Sequence, residues 1–480
     1  MAQPHDLTAV QQAAAIRRGE LSSAELVEHY LGRIDAHADT VGAFVTVTAE
    51  RARERARAAD AVRDRPRGPL HGVPTAVKDL TMTAGVRTTF GSAAFADFVP
   101  AVDADVARLM REAGTVSLGK TTTSEFGCSL HSEGRVAPPA RNPWCLANTA
   151  GGSSGGAAAA VAAGLVPVAQ GSDGGGSLRI PAAICGLVGY KPSRGLVSGG
   201  PVGSGGFGLP VNGPIGRTVA DVAALLDVLA VPVPGEPYPT PPGPPDGYLA
   251  TVRRGSADRL RVGRFTAPML ADVPVDPRCR AAVDTAAAAL ARAGHEVVDI
   301  PAPFTPEVWP LFEILWYALT LTPLPPDAEA ELLPLTRWLR DRGAAVGAGT
   351  LMATLSALQT QVRRAARATA GVDLLLCPVL AAPQAPVGWF TEGADPAEEF
   401  QRQRNFSPYC AVFNVTGQPS VALPVGRTAD GLPVGVLLTA RYGEDARLLA
   451  VAAELEQAGG GWDRHPEIWR AAHSATVNDV

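Results

Sequence analysis

Two dense glycine clusters, each carrying serine, hold the residues best suited to chemistry: Gly151-Gly152-Ser153-Ser154-Gly155-Gly156 and Ser172-Asp173-Gly174-Gly175-Gly176-Ser177. Glycine at this density lets backbone take positive φ and approach a bound group closely. The successive N–H groups of such loops suit an anion, or negative charge that develops during a reaction. A serine placed there becomes a nucleophile if a base can take its proton. Histidine is the first base to test. Gly151-Gly-Ser-Ser-Gly155 fits the G-x-S-x-G elbow, but no strand is expected over 143–150 to deliver the serine. His295, His465 and His473 sit in stretches that read as surface, and His71 reads as structural. Lysine is the second. Of 42 basic residues only Lys78, Lys120 and Lys191 are lysines, and arginine cannot supply a neutral amine. Lowering a lysine from about 10.4 to ~7–8 takes roughly 4 kcal/mol, which burial supplies. Lys78 follows the apolar run 73–77 and is the best placed of the three. On spacing alone, a lysine directly after an apolar strand is more often an ordinary surface residue at the strand end. Chance retention is the expectation for Lys120 and Lys191. A second serine between lysine and nucleophile could relay the proton.

Composition narrows the classes. The chain is 46% hydrophobic and 19% charged, with a net charge of −5. No basic stripe is available to neutralise phosphates, so nucleic acid is not expected as a partner. No run of about 18 apolar residues suggests a membrane span. The six cysteines (128, 145, 185, 279, 377, 410) show no C-x-x-C spacing, so neither zinc nor a disulfide framework is expected. Met1-Ala-Gln-Pro-His-Asp6 lacks the basic and apolar regions of a signal peptide. Together these point to a cytoplasmic protein with reduced thiols. Gly203-Ser-Gly-Gly-Phe-Gly208 matches G-x-G-x-x-G, but no strand precedes it and Pro210 blocks a helix after it, so no dinucleotide site is expected. No metal or cofactor is called for.

The elements that must position these residues alternate between strand and helix. Capping boxes at Thr8 and Ser22 open helices over 8–18 and 22–36. A strand at 43–47 leads into a charged helix at 49–64, whose arginines and glutamates read as a solvated face. Strands are expected at 73–77, 115–118 and 166–169, with helices at 105–113, 157–163, 177–184 and 219–229. Residues 171–176 read as a loop, which puts Ser177 at a loop-to-helix junction where N–H groups converge. Proline at nearly every second position makes 231–248 an extended linker. Strands at 261–265 and 296–300 flank a helix at 277–293. Residues 301–366 are helical, and Trp309, Phe312, Trp316, Tyr317 and Trp338 read as core apart from one or two. A strand at 372–377, a hairpin of 421–425 with 434–439 around Asp430-Gly431, and a helix at 445–457 complete the chain.

The combination of motifs resembles the amidase signature family, whose members use a Ser–cisSer–Lys triad. The resemblance runs over nearly all 480 residues. It includes the Ser22-Ser-Ala-Glu-Leu-Val helix, His71-Gly-Val-Pro-Thr-Ala-Val-Lys-Asp79, both glycine clusters, the Arg179-Ile-Pro-Ala-Ala-Ile-Cys-Gly186 run, Gly213-Pro-Ile-Gly-Arg-Thr218 and Gly431-Leu-Pro-Val-Gly-Val436. It implies a single α/β domain, a mixed β-sheet core covered by helices. Within it, 1–65 is an N-terminal helical region, 66–230 the signature core, 231–248 the proline-rich loop, and 249–480 the remainder, with pocket helices at about 305–366. It implies hydrolysis of a small-molecule carboxamide through an acyl-enzyme, with esters and carbamates (a urethanase activity) open to the same chemistry. Ser177 would be the nucleophile, Ser153 the bridging serine after a cis peptide with Gly152, and Lys78 the base. The N–H groups of Gly174, Gly175, Gly176 and Ser177 would form the oxyanion hole. Asp173 and Arg179 would support that loop, Ser154 would be structural, and Gly127 and Ser129 would contact substrate. The family usually has threonine or another β-branched residue where this chain has Gly174. Residues 127–140 also depart from the usual pattern, which loosens any inference about substrate. The partners implied are a small-molecule amide and water, and a homodimer stays open. Two competing readings are the A subunit of a glutamyl-tRNA(Gln) amidotransferase, which would act as a glutaminase within a complex, and a non-catalytic docking protein. The joint presence of Lys78, Ser153 and Ser177 weighs against the second.

Overall fold

The apolar runs of the sequence assemble into one 11-stranded sheet. Across it the strands lie in the order Phe44–Val47, Val116–Thr121, Pro74–Lys78, Val168–Asp173, Val211–Gly216, Val188–Lys191, Ser420–Arg427, Pro433–Ala440, Leu374–Pro378, Arg261–Arg264 and Glu296–Asp299. This computed structural model describes residues 3–201, 205–256, 258–459, 462 and 464–470. His473 and the first two residues of the refused Gly203–Gly208 motif therefore lie outside the described residues.

The strand that ends in Lys78 lies inside the sheet, and Pro74–Lys78 is buried at every position, with no alternation between a buried and an exposed face. Pro74–Lys78 pairs in parallel with Val116–Thr121 on one side and Val168–Asp173 on the other. Val77 stands opposite Gln170, so the carboxyl ends of both strands reach one edge of the sheet together. Ligands of open α/β sheets bind at such edges. The Gly155–Ala162 helix is alanine-rich and buried throughout. Side chains that small let it lie close against these strands.

Several elements depart from the sequence reading. The Val168–Asp173 strand extends through Gly171 and Ser172, which read as loop; sheet pairing with Val211–Asn212 and Gly213 overrides glycine's weak strand preference. Val188–Lys191 and Val211–Gly216 were not anticipated as strands, the second because Gly213 and Pro214 mask it. Residues Cys145–Thr149 do form a strand, contrary to expectation, but it pairs in its own two-stranded sheet with Arg141–Asn142. It does not deliver Ser153 from the main sheet. The helix Pro396–Phe406 was also missed, although Asp395 caps it by accepting from the Glu398 N–H, with proline at its first position. His295 is buried, not superficial: its Nε2 lies 2.9 Å from Glu454 and its Nδ1 accepts the Leu260 N–H.

All three lysines are fully buried, which replaces chance retention by a structural reason for Lys120 and Lys191. Lys120 Nζ donates to the Thr81 carbonyl and Thr88 Oγ1 and lies 3.4 Å from Asp79. Lys191 Nζ donates to the Pro192 carbonyl. A slender ammonium on a flexible stem fits such sites where a planar guanidinium with five donors does not.

Candidate active site

Lys78 ends its strand with its side chain enclosed, and Nζ lies 2.7 Å from Ser153 Oγ. The Ser172 hydroxyl and carbonyl, at 3.1 and 3.3 Å, complete its surroundings. Ser172 was not singled out from the sequence, though it opens the second glycine cluster. Burial pulls the Lys78 amine down to about 7, against the opposing effect of the Asp173 carboxylate. At neutral pH a substantial share of this lysine is therefore neutral.

Ser153 follows a cis peptide with Gly152. The turn is clamped by Ser132, whose hydroxyl donates toward the carbonyls of Gly151 and Ser153 and accepts the Gly155 N–H. Ser132 lies in the divergent 127–140 segment, and no sequence signal marked it. Ser154 bridges to the next strand: its Oγ donates to the Ser172 carbonyl and its N–H to the Ser177 carbonyl.

The second cluster is held by a buried ion pair. Arg179 and Asp173 meet through two bonds of 2.8 Å with neither side chain exposed. Asn414, 241 residues away, donates to the Asp173 carboxylate and carbonyl and accepts from Arg179. Burial alone would push the Asp173 carboxyl up, but Arg179 and these hydrogen bonds hold it well below the usual carboxylate range. The same carboxylate accepts the N–H groups of Gly176 and Leu178. The Gly176 N–H, expected among the oxyanion donors, is thus turned toward Asp173. Among the described residues the N–H groups of Gly174, Gly175 and Ser177 have no acceptor in the chain. Gly176 itself has a φ of 135°, and a Cβ there would stand 2.6 Å from Ile180 Cδ1, so the bend needs glycine.

Removing the charge of Asp173 leaves the Arg179 guanidinium buried and unpaired. Asp173→Asn is expected to destabilise the fold by about 3–5 kcal/mol, read as a lowered urea midpoint at unchanged slope. A loss below about 1 kcal/mol would mean that the loop is held by other contacts.

Ser177 opens onto a cavity. Gly127, Ser129, Leu130 and Gly175 line it together with Trp309, Phe312 and Trp316. Three rings of the Trp309–Leu319 helix therefore line it, more than the one or two expected, while Tyr317 and Trp338 pack on each other. Ser129 Oγ donates to the His131 carbonyl. Gly127 also abuts the Lys78–Ser153 pair, since a Cβ on it would lie 3.4 Å from Ser153 Oγ. Gly174 faces Trp316, whose ring would be in ordinary contact, 3.4 Å away, with a Cβ there. Trp316 is stacked on Phe312 and its Nε1 donates to the Cys128 carbonyl.

Comparison with known proteins places the chain in a family. The sequence profile of the amidase family matches residues 25–449. An acylamidase of Rhodococcus erythropolis is 34% identical over 493 residues, covering 96% of this chain and 97% of its own. The solved structure of a 6-aminohexanoate cyclic dimer hydrolase complexed with substrate superposes with a TM-score of 0.88 at 32% identity, over 97% of this chain and 99% of that one. A bacterial aryl acylamidase of the amidase signature family superposes at 0.85 with 26% identity, over 97% and 99%. Profile, sequence relatives and fold converge along nearly the whole length, and the chain belongs to the amidase family, enzymes that hydrolyse C–N amide bonds.

Proposed function

We propose that the chain hydrolyses small-molecule carboxamides through an acyl-enzyme on Ser177. Neutral Lys78 accepts the Ser153 proton while Ser153 accepts that of Ser177, and Ser177 Oγ attacks the amide carbonyl. The oxyanion is met by the N–H groups of Gly174, Gly175 and Ser177, each donor contributing about 3–4 kcal/mol. The proton returns by the same serine to the leaving amine, and water then attacks the acyl-serine to regenerate the hydroxyl. Aryl and acyl amides suit the ring-lined cavity, as the names of the acylamidase relatives suggest, and esters or carbamates enter by the same acylation. We place the enzyme in the cytoplasm; no described helix is long and apolar enough to cross a membrane. The observation that most supports this reading is the 2.7 Å contact between a buried, partly neutral lysine and Ser153.

The test is intact mass during turnover of an aryl anilide, a primary amide, glutamine and an aryl carbamate. The expected result is a covalent adduct of acyl mass, mapped to the peptide containing Ser177, with the anilide. Hydrolysis with the adduct on another residue would overturn the assignment, and cleavage of glutamine alone would return the amidotransferase reading.

A further inference from the structure

Among the described residues, the cavity that carries Ser177 has a single charged residue in its lining, Arg404, and no carboxylate. Arg404 lies on the helix Pro396–Phe406, its guanidinium 5.5 Å from the centre of the Trp309 ring. Its Nε donates to Asn405 Oδ1 at 3.3 Å, which leaves the two terminal nitrogens with four N–H groups. Nearby arginines are paired, Arg402 with Glu398 and Arg340 with Glu329. Arg404 forms no ion pair among the described residues.

A second group in the same lining points the same way. Ser407 is 6% exposed, and its Oγ has no nitrogen or oxygen partner; only the Cys410 thiol, a weak acceptor, faces it. A buried hydroxyl left in that state costs free energy unless a ligand takes it up. Gln403, on the same wall, is already spent: it accepts the Leu130 N–H and donates to Glu399. The lining therefore holds a planar cation and, beside it, a buried hydroxyl satisfied only by a weak thiol acceptor, among aromatic rings where a charge-assisted bond is strengthened.

We infer that the enzyme is selective for amides bearing a carboxylate, which Arg404 and Ser407 hold while the scissile carbonyl faces Ser177. This rests on the amidase reading of Ser177 given above. Trp309, 5.5 Å from the guanidinium carbon, offers it a cation–π contact, and the planar fork of arginine suits a two-pronged contact with a carboxylate.

The experiment reads binding to the Ser177→Ala protein by calorimetry. The probes are glutaric acid monoanilide and N-benzoylglycine, each beside its methyl ester, so that one pair carries the carboxylate on the acyl side and the other on the amine side. In at least one pair the acid should bind roughly 10–100-fold more tightly than its ester. Arg404→Met should bring that ratio close to one, Arg404→Lys should restore part of it, and Ser407→Ala should lower it less. Equal affinity of acid and ester in both pairs, or a preference that survives Arg404→Met, overturns the inference. Binding is measured without a nucleophile, so a wild-type enzyme that cleaves no amide would count against the proposed function, while the acid-to-ester ratio would still decide the recognition.

Discussion

Ser177→Ala is expected to lower kcat/KM for an aryl anilide by roughly 10⁴-fold or more and to abolish the acyl adduct, while the protein unfolds at nearly its normal urea concentration. The size follows from the covalent route: without the hydroxyl only binding and the oxyanion donors remain. The serine nearest the base is not Ser177 but Ser153, at 2.7 Å from Lys78 Nζ. Proximity to the base would make Ser153 the nucleophile, but accessibility decides otherwise. Ser177 lines the cavity, and Ser153, 1% exposed, does not. In the mechanism proposed, Ser153 passes the proton and Ser177 meets the substrate. An adduct retained on Ser153 in Ser177→Ala, with turnover reduced less than tenfold, would reverse the two roles.

What was legible in the sequence was local. The glycine clusters announce themselves by composition, and the scarcity of lysine narrows the candidate bases to Lys78, Lys120 and Lys191. The capping box at Thr8 needs only neighbouring residues, and it forms as read. What was hidden depends on partners far along the chain. Gly213 and Pro214 argue against a strand, yet their segment is held in the sheet between Val168–Asp173 and Val188–Lys191. Which amides of residues 174–177 are free is set by where the Asp173 carboxylate turns, and that is set by Arg179 and by Asn414 from the other half of the chain. The pocket wall from Phe400 to Ala411 escaped for the same reason. Its capping signal at Asp395 was readable, but nothing local says that this helix faces Ser177.

Lys78→Met, which keeps the length of the side chain and removes the amine, is expected to lower kcat/KM by roughly 10²–10⁴-fold. The pH profile should carry the clearer signature. Lys78 must be neutral to accept a proton, and burial sets its pKa at about 7. Activity should therefore rise as pH increases through about 7 and level off above it, with the protonated, inactive form dominating on the acid side. That limb alone does not assign the base, because burial also brings Lys191 to about 7. Geometry separates them: Lys191 Nζ donates to the Pro192 carbonyl, whereas Lys78 Nζ reaches Ser153 Oγ and Ser172 Oγ. The residual activity of Lys78→Met should lose the limb near 7, and Lys191→Met should keep it. If the limb instead vanishes in Lys191→Met and persists in Lys78→Met, the proton leaves Ser177 by another path, and the buried contact between Lys78 and Ser153 serves only to hold the turn.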